Sequence, residues 1–114
     1  MQGHHNTHSE YKSMWLFAMF DLPVVTKEDR LEYTRFRKKL LTEGFLMLQY
    51  SVYARYCASE EVSKSHRRRI KAMLPPRGEV RMLSVTDRQW GKMDVFQGKR
   101  RYTSEEPPKQ LLLF

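Results

Sequence analysis

Residues 14–23, Met14-Trp15-Leu16-Phe17-Ala18-Met19-Phe20-Asp21-Leu22-Pro23, decide how this chain is read. Seven apolar residues run without interruption into one carboxylate, and a proline stands two positions beyond it. A strand that buries one face alternates apolar and polar residues, whereas a continuous apolar run implies cover on both faces. In a chain of 114 residues that second cover has few possible sources, and a second copy of the chain is the simplest. Asp21 would then sit near the junction of the two copies.

Downstream of this strand the pattern switches to a helical period. Thr26 is placed to cap a helix from Lys27 to Glu43, Glu28 and Asp29 suit its positive end, and Gly44 falls where a terminating glycine belongs. Tyr33, Phe36, Leu40 and Leu41 form its expected apolar stripe, while Arg30, Arg35, Arg37, Lys38 and Lys39 make a first basic surface. Phe45–Cys57 alternates with a period of two and is too long for one strand, so a break is expected near Gln49–Ser51, although no Gly, Pro or Asn marks a turn there. Ser59-Glu60-Glu61 opens a second helix that Pro75-Pro76 closes. Val62, His66, Ile70, Met73 and Leu74 make its expected buried stripe, with His66 packed and neutral, and Lys64, Arg67, Arg68, Arg69 and Lys71 form a second basic face. Glu79–Asp87 alternates again as a strand, followed by a helical turn over Asp87–Met93 and a short strand over Asp94–Gln97.

Residues 1–12 read as a flexible leader containing His4, His5 and His8, residues 13–98 as the core domain, and residues 99–114 as a charged linker and an apolar tail, Leu111-Leu112-Leu113-Phe114. That tail has no local partner; docking on a neighbouring subunit or partner, as an extra strand, is expected of it. The single cysteine, Cys57, excludes an internal disulfide and reads as a buried apolar filler. No stretch approaches the ~18 apolar residues that span a bilayer, and no secretory signal opens the chain, so a cytoplasmic protein is expected. Twenty-one Lys and Arg against 13 Asp and Glu give a formal net charge of +8, which suits an anionic polymer, nucleic acid ahead of a membrane.

The element order β-α-β-β-α-β is the ferredoxin-like α+β arrangement, with two helices on one face of an antiparallel sheet. Specific residues carry the resemblance further. Phe20-Asp21-Leu22-Pro23-Val24 after the first strand, Tyr33-Thr34-Arg35-Phe36-Arg37-Lys38 in the helix, Gln49-Tyr50-Ser51-Val52-Tyr53 at the strand break and Pro75-Pro76 before the last core strand together resemble the small CRISPR-associated Cas2 family, in its type II-like branch. The resemblance implies a homodimer packed through the open sheet faces. It also implies a role in spacer acquisition, where the dimer sits between dimers of the Cas1 integrase and helps to hold duplex DNA. Some members are described as metal-dependent nucleases on RNA or DNA.

For that second activity Asp21 is the expected catalytic and metal-binding residue. Two-fold symmetry would bring two Asp21 carboxylates together, with one Mg²⁺ per dimer between them and Ser51 as an auxiliary group; without the ion their repulsion would raise one pKa. The residue types admit a plainer role as well, since Asp before a proline is a good turn initiator. For nucleic-acid binding the candidates are Arg30, Arg35, Arg37, Lys38, Lys64, Arg67, Arg68, Arg69, Lys71 and Arg77, which can neutralise phosphates without reading bases. A stand-alone RNA-recognition module shares the topology, but its glycine- and aromatic-rich signature is absent.

Overall fold

A computed structural model describes residues 12–107. Strand β1 (Met14–Asp21) leads into helix α1 (Lys27–Thr42), then β2 (Leu46–Gln49), β3 (Val52–Cys57), α2 (Glu60–Lys71) and β4 (Glu79–Thr86). The short helix α3 (Asp87–Gly91) and the strands β5 (Val95–Gln97) and β6 (Arg100–Tyr102) follow. The four long strands form an antiparallel sheet in the order β2-β3-β1-β4, so β1 is interior and β4 is an edge. This is the expected ferredoxin-like α+β order.

Local chemistry sets the element ends. Thr26 accepts from the Asp29 amide at 3.0 Å, and Asp29 accepts from the Thr26 amide at 3.2 Å, a reciprocal box that starts α1. Gly44, at φ +90°, ends it. The break between β2 and β3 falls at Tyr50–Ser51, where Ser51 takes φ +65° without being glycine. Its carbonyl accepts from the Phe20 amide at 3.0 Å, which ties the turn to the end of β1 and holds a conformation that serine does not favour.

One face of β1 lies under both helices. Met14, Leu16, Ala18 and Phe20 join Phe36 and Leu40 of α1, Ile70 of α2, and Phe45, Tyr53 and Cys57 in the main core. Phe20 makes edge contacts with Phe36 and Tyr33. Two expected stripe assignments are corrected here. Leu41 is exposed on α1; Val62 on α2 and Leu74 beyond its end are exposed, and Ser63 is buried instead, its hydroxyl 3.0 Å from that of Ser84. A small polar residue with a hydrogen-bond partner allows closer helix–strand approach than a branched apolar one.

On the other face the chain itself covers part of β1. At the Trp15 end the chain covers itself: Trp90 of α3 stacks on Trp15 with ring centroids 3.9 Å apart and planes 6° from parallel. Trp15 and Trp90 are 0% and 2% exposed, and Tyr56, Ala54, Val85 and Met93 complete this second cluster. Both indole N–H groups are satisfied, Trp15 donating to Asp87 Oδ1 at 2.8 Å and Trp90 to the Glu105 carbonyl at 2.6 Å. The cover thins beyond Phe17, whose ring centroid lies 5.4 Å from that of Trp90. Phe17 and Met19 are half-buried, and Leu83 beside Phe17 on β4 is 52% exposed.

The expected linker is also partly structured. Arg100–Tyr102 pairs with Val95–Gln97 as a hairpin whose two-residue loop, Gly98-Lys99, has its glycine at φ +60°. Glycine first in such a loop is the requirement of a type II′ turn. The leader with its histidines, apart from Lys12, and the apolar tail lie outside the described residues. No helix among the described residues is long and apolar enough to cross a membrane.

Replacing Trp90 by Ala uncovers Trp15. Chemical denaturation should report a loss of about 3–5 kcal/mol, and the Trp15 emission should move to the red.

Candidate nucleic-acid interface

Asp21 is the last residue of β1, and the alternation of the strand directs it to the face opposite the helices. It is exposed. Its register partner on β4 is Glu79, a carboxylate that sequence reading passed over because the pairing of β1 with β4 was not visible. Arg81 follows on the same face of β4, opposite Met19, and donates from Nε to Glu79 Oε1 at 2.9 Å. Met19, Phe20, Asp21, Glu79 and Arg81 line an open cleft of about 190 Å³.

Gly78 fixes this corner. It has φ +95°, and a Cβ there would stand 2.8 Å from the Asp21 carbonyl oxygen and 2.7 Å from Leu22 Cδ2. Only a residue without a side chain lets β4 begin so close to the end of β1. Ser51 lies differently from Asp21. Its hydroxyl is 3.4 Å from Tyr33 Oη of α1, on the helical side of the sheet, so any auxiliary role would fall to its backbone.

The ten basic candidates divide by what they touch. Arg30 caps carbonyls of Val24 and Val25, Arg35 pairs with Glu32, and Arg77 holds Asp29 at 3.0 Å, tying the segment after Pro75-Pro76 to the start of α1. Arg67 donates to Ser84 on β4 at 2.8 Å, Arg68 to Ser65 on its own helix, and Arg69 to Glu43 at 2.9 Å. Arg37 and Lys38 of α1 and Lys64 and Lys71 of α2 are exposed and make no ion pair or side-chain hydrogen bond among the described residues. These four are the cations best able to meet phosphates.

His66 belongs to the framework. Its Nδ1 lies 2.8 Å from Glu43 Oε1, Arg69 shares that oxygen, and Arg55 Nε donates to the Glu43 carbonyl at 2.7 Å. Burial holds the His66 pKa below 6.5, with Arg55 and Arg69 acting in the same direction and Glu43 opposing them. Glu43 is held below its ordinary value chiefly by the hydrogen bond from Arg69. At α1's N-terminus, Asp29 is lowered chiefly by the Thr26 amide. Burial pushes the Cys57 thiol up, which suits a filler and not a nucleophile.

The donor set at the cleft is entirely oxygen, the kind a hard divalent cation takes. Among the described residues no group of three or more His, Cys, Asp or Glu side chains is arranged to hold a metal. One protomer therefore offers the Asp21 carboxylate, with Glu79 already engaged by Arg81.

The sequence matches the family described as CRISPR associated protein Cas2 over residues 14–93. The chain belongs to the Cas2 family. It is 52% identical over 101 residues to the CRISPR-associated endoribonuclease Cas2 of Parvibaculum lavamentivorans, covering 89% of this chain and 100% of that one. It is 41% identical over 111 residues to the protein of the same name from Flavobacterium psychrophilum, covering 97% and 96%. With that of Paracidovorax avenae the identity is 40% over 104 residues, covering 91% and 96%. The Cas2 match contains β1, both long helices, β4 and Trp90, and ends before the β5–β6 hairpin.

Two outcomes follow from this geometry. Gly78→Ala should cost about 2 kcal/mol or more in chemical denaturation, from the positive φ and the contact with Asp21. His66, depressed in the fold, contributes stability that is complete above its unfolded value of 6.5 and is lost as pH falls toward the folded value. Urea midpoints should therefore fall between about pH 7 and pH 5, and His66→Gln should flatten that segment of the curve.

Proposed function

We propose that this chain serves CRISPR adaptation as a homodimer that holds a nucleic-acid duplex for the Cas1 integrase, binding through the phosphate backbone. The observation that carries this reading is the set of cations without an ion pair among the described residues, Arg37 and Lys38 on α1 and Lys64 and Lys71 on α2, exposed on the helical layer. Cations that meet phosphates, which carry no sequence information, suit capture of arbitrary sequences. The half-exposed end of β1, with Phe17, Met19 and Leu83, is the apolar surface on which two protomers would meet. Arg35, Arg67, Arg69 and Arg77 are secondary contacts in this account, since each is already committed within the fold.

A second reading is favoured by the acidic cleft and by the printed names of the relatives, which are called endoribonucleases. In it, paired Asp21 carboxylates of the dimer would hold one Mg²⁺. That ion would polarise a phosphoryl oxygen and lower the pKa of a bound water. Asp21 itself supplies the charge that retains the ion, and Gly78 keeps the end of β1 where two such carboxylates can approach. The two roles occupy opposite faces of the sheet and are compatible.

If about six phosphates are neutralised per dimer, log affinity for duplex DNA should fall with log salt at a slope of about −5. Reversing Lys64 and Lys71 to Glu should weaken binding at least about ten-fold at ~0.1 M salt and flatten that slope. Asp21→Ala should retain duplex affinity and spacer acquisition in cells, while any chelator-sensitive cleavage disappears. Loss of acquisition in a variant that folds and assembles normally would contradict the architectural role.

A further inference from the structure

The geometry points to Arg81 as a phosphate contact in the Asp21 cleft, the place where a phosphodiester of bound nucleic acid approaches the acidic corner of the sheet. The assignment rests on the nucleic-acid reading above and adds a residue outside the basic helices. Glu79, Arg81 and Leu83 alternate on the face of β4 opposite the helices, with Asp21, Met19 and Phe17 as their register partners. Arg81 is thus one pair removed from Asp21 and lines the same cleft.

Charge explains why a cation is needed there. A phosphodiester brought to Asp21 and Glu79 alone would meet two carboxylates and be repelled. Arg81 offsets that repulsion at the point where it acts. Its Nε is engaged by Glu79 Oε1 at 2.9 Å, and its terminal nitrogens have no partner among the described residues. The pair is 73% and 64% exposed at the side chains, so it contributes little to stability. What it does is orient the guanidinium plane, presenting the remaining donors as a fork that fits two phosphate oxygens. The exposed cations of α1 and α2 lie on the helical layer, across the sheet from this cleft, and leave this position to Arg81.

The test is equilibrium binding of the full chain to a short labelled RNA strand and, separately, to a short DNA duplex, over a salt series without added divalent cation. Arg81→Ala should weaken binding about ten-fold at ~0.1 M salt and reduce the steepness of the salt dependence by about one for each Arg81 engaged. Arg81→Lys should restore the salt slope but not the full affinity, because a point charge replaces the fork. Thermal unfolding of both variants should match the wild type, as expected for an exposed side chain. A loss confined to one arm identifies which nucleic acid reaches the cleft. Arg81→Ala isotherms that superimpose on the wild type at every salt concentration, while the wild type binds, would overturn the assignment and leave the nucleic-acid reading standing. Wild-type protein that binds neither RNA nor duplex would overturn that reading itself.

Discussion

The fold depends on how one strand is covered on two sides. β1 is interior in its sheet and apolar at every position before Asp21, so each of its faces needs a packing partner. The helices supply one, through Phe36, Leu40 and Ile70. The other is supplied over part of its length by Trp90, stacked on Trp15 with Met93 packed beside the pair, and each indole N–H has an acceptor. α3 is only five residues long and cannot cover more than that. Cover is therefore complete at the start of β1 and thins beyond Phe17.

That gradient organises the candidate interface. Asp21 stands at the end where the cover thins, next to β4, the edge strand among the described residues, so carboxylate, apolar surface and sheet edge are contiguous. Gly78 makes the arrangement possible by letting β4 start against the Asp21 backbone. Exposed cations on α1 and α2 are separated from this corner by the thickness of the sheet.

Much of this was legible in the sequence, for physical reasons that differ by element. The capping of α1 by Thr26, Asp29 and Gly44 was readable because caps are local, and so was the four-strand order, because period-two and helical patterns alternate along the chain. Asp21 at the end of β1 was equally visible. The Ser51 turn was placed correctly but lacked a residue signal, since its strained backbone is held by a distant amide, that of Phe20. What could not be read was set by long-range register. Trp90 covering Trp15, Glu79 facing Asp21 and Ser63 meeting Ser84 each join segments far apart in the chain. The basic residues were found by composition, yet composition does not tell a committed arginine such as Arg67 from an uncommitted lysine such as Lys64. The β5–β6 hairpin was hidden by its charge, although Gly98 offered a turn signal.

The uncovered end of β1 is the feature on which the proposed dimer, the paired carboxylates and the composite binding surface all depend. Sedimentation velocity of the full chain at micromolar concentration tests it most directly. The account predicts a dimer that Leu83→Asp converts to a folded monomer, because that substitution places a charge on an exposed residue of the meeting surface. A wild-type chain that sediments as a monomer across the concentration range would contradict it.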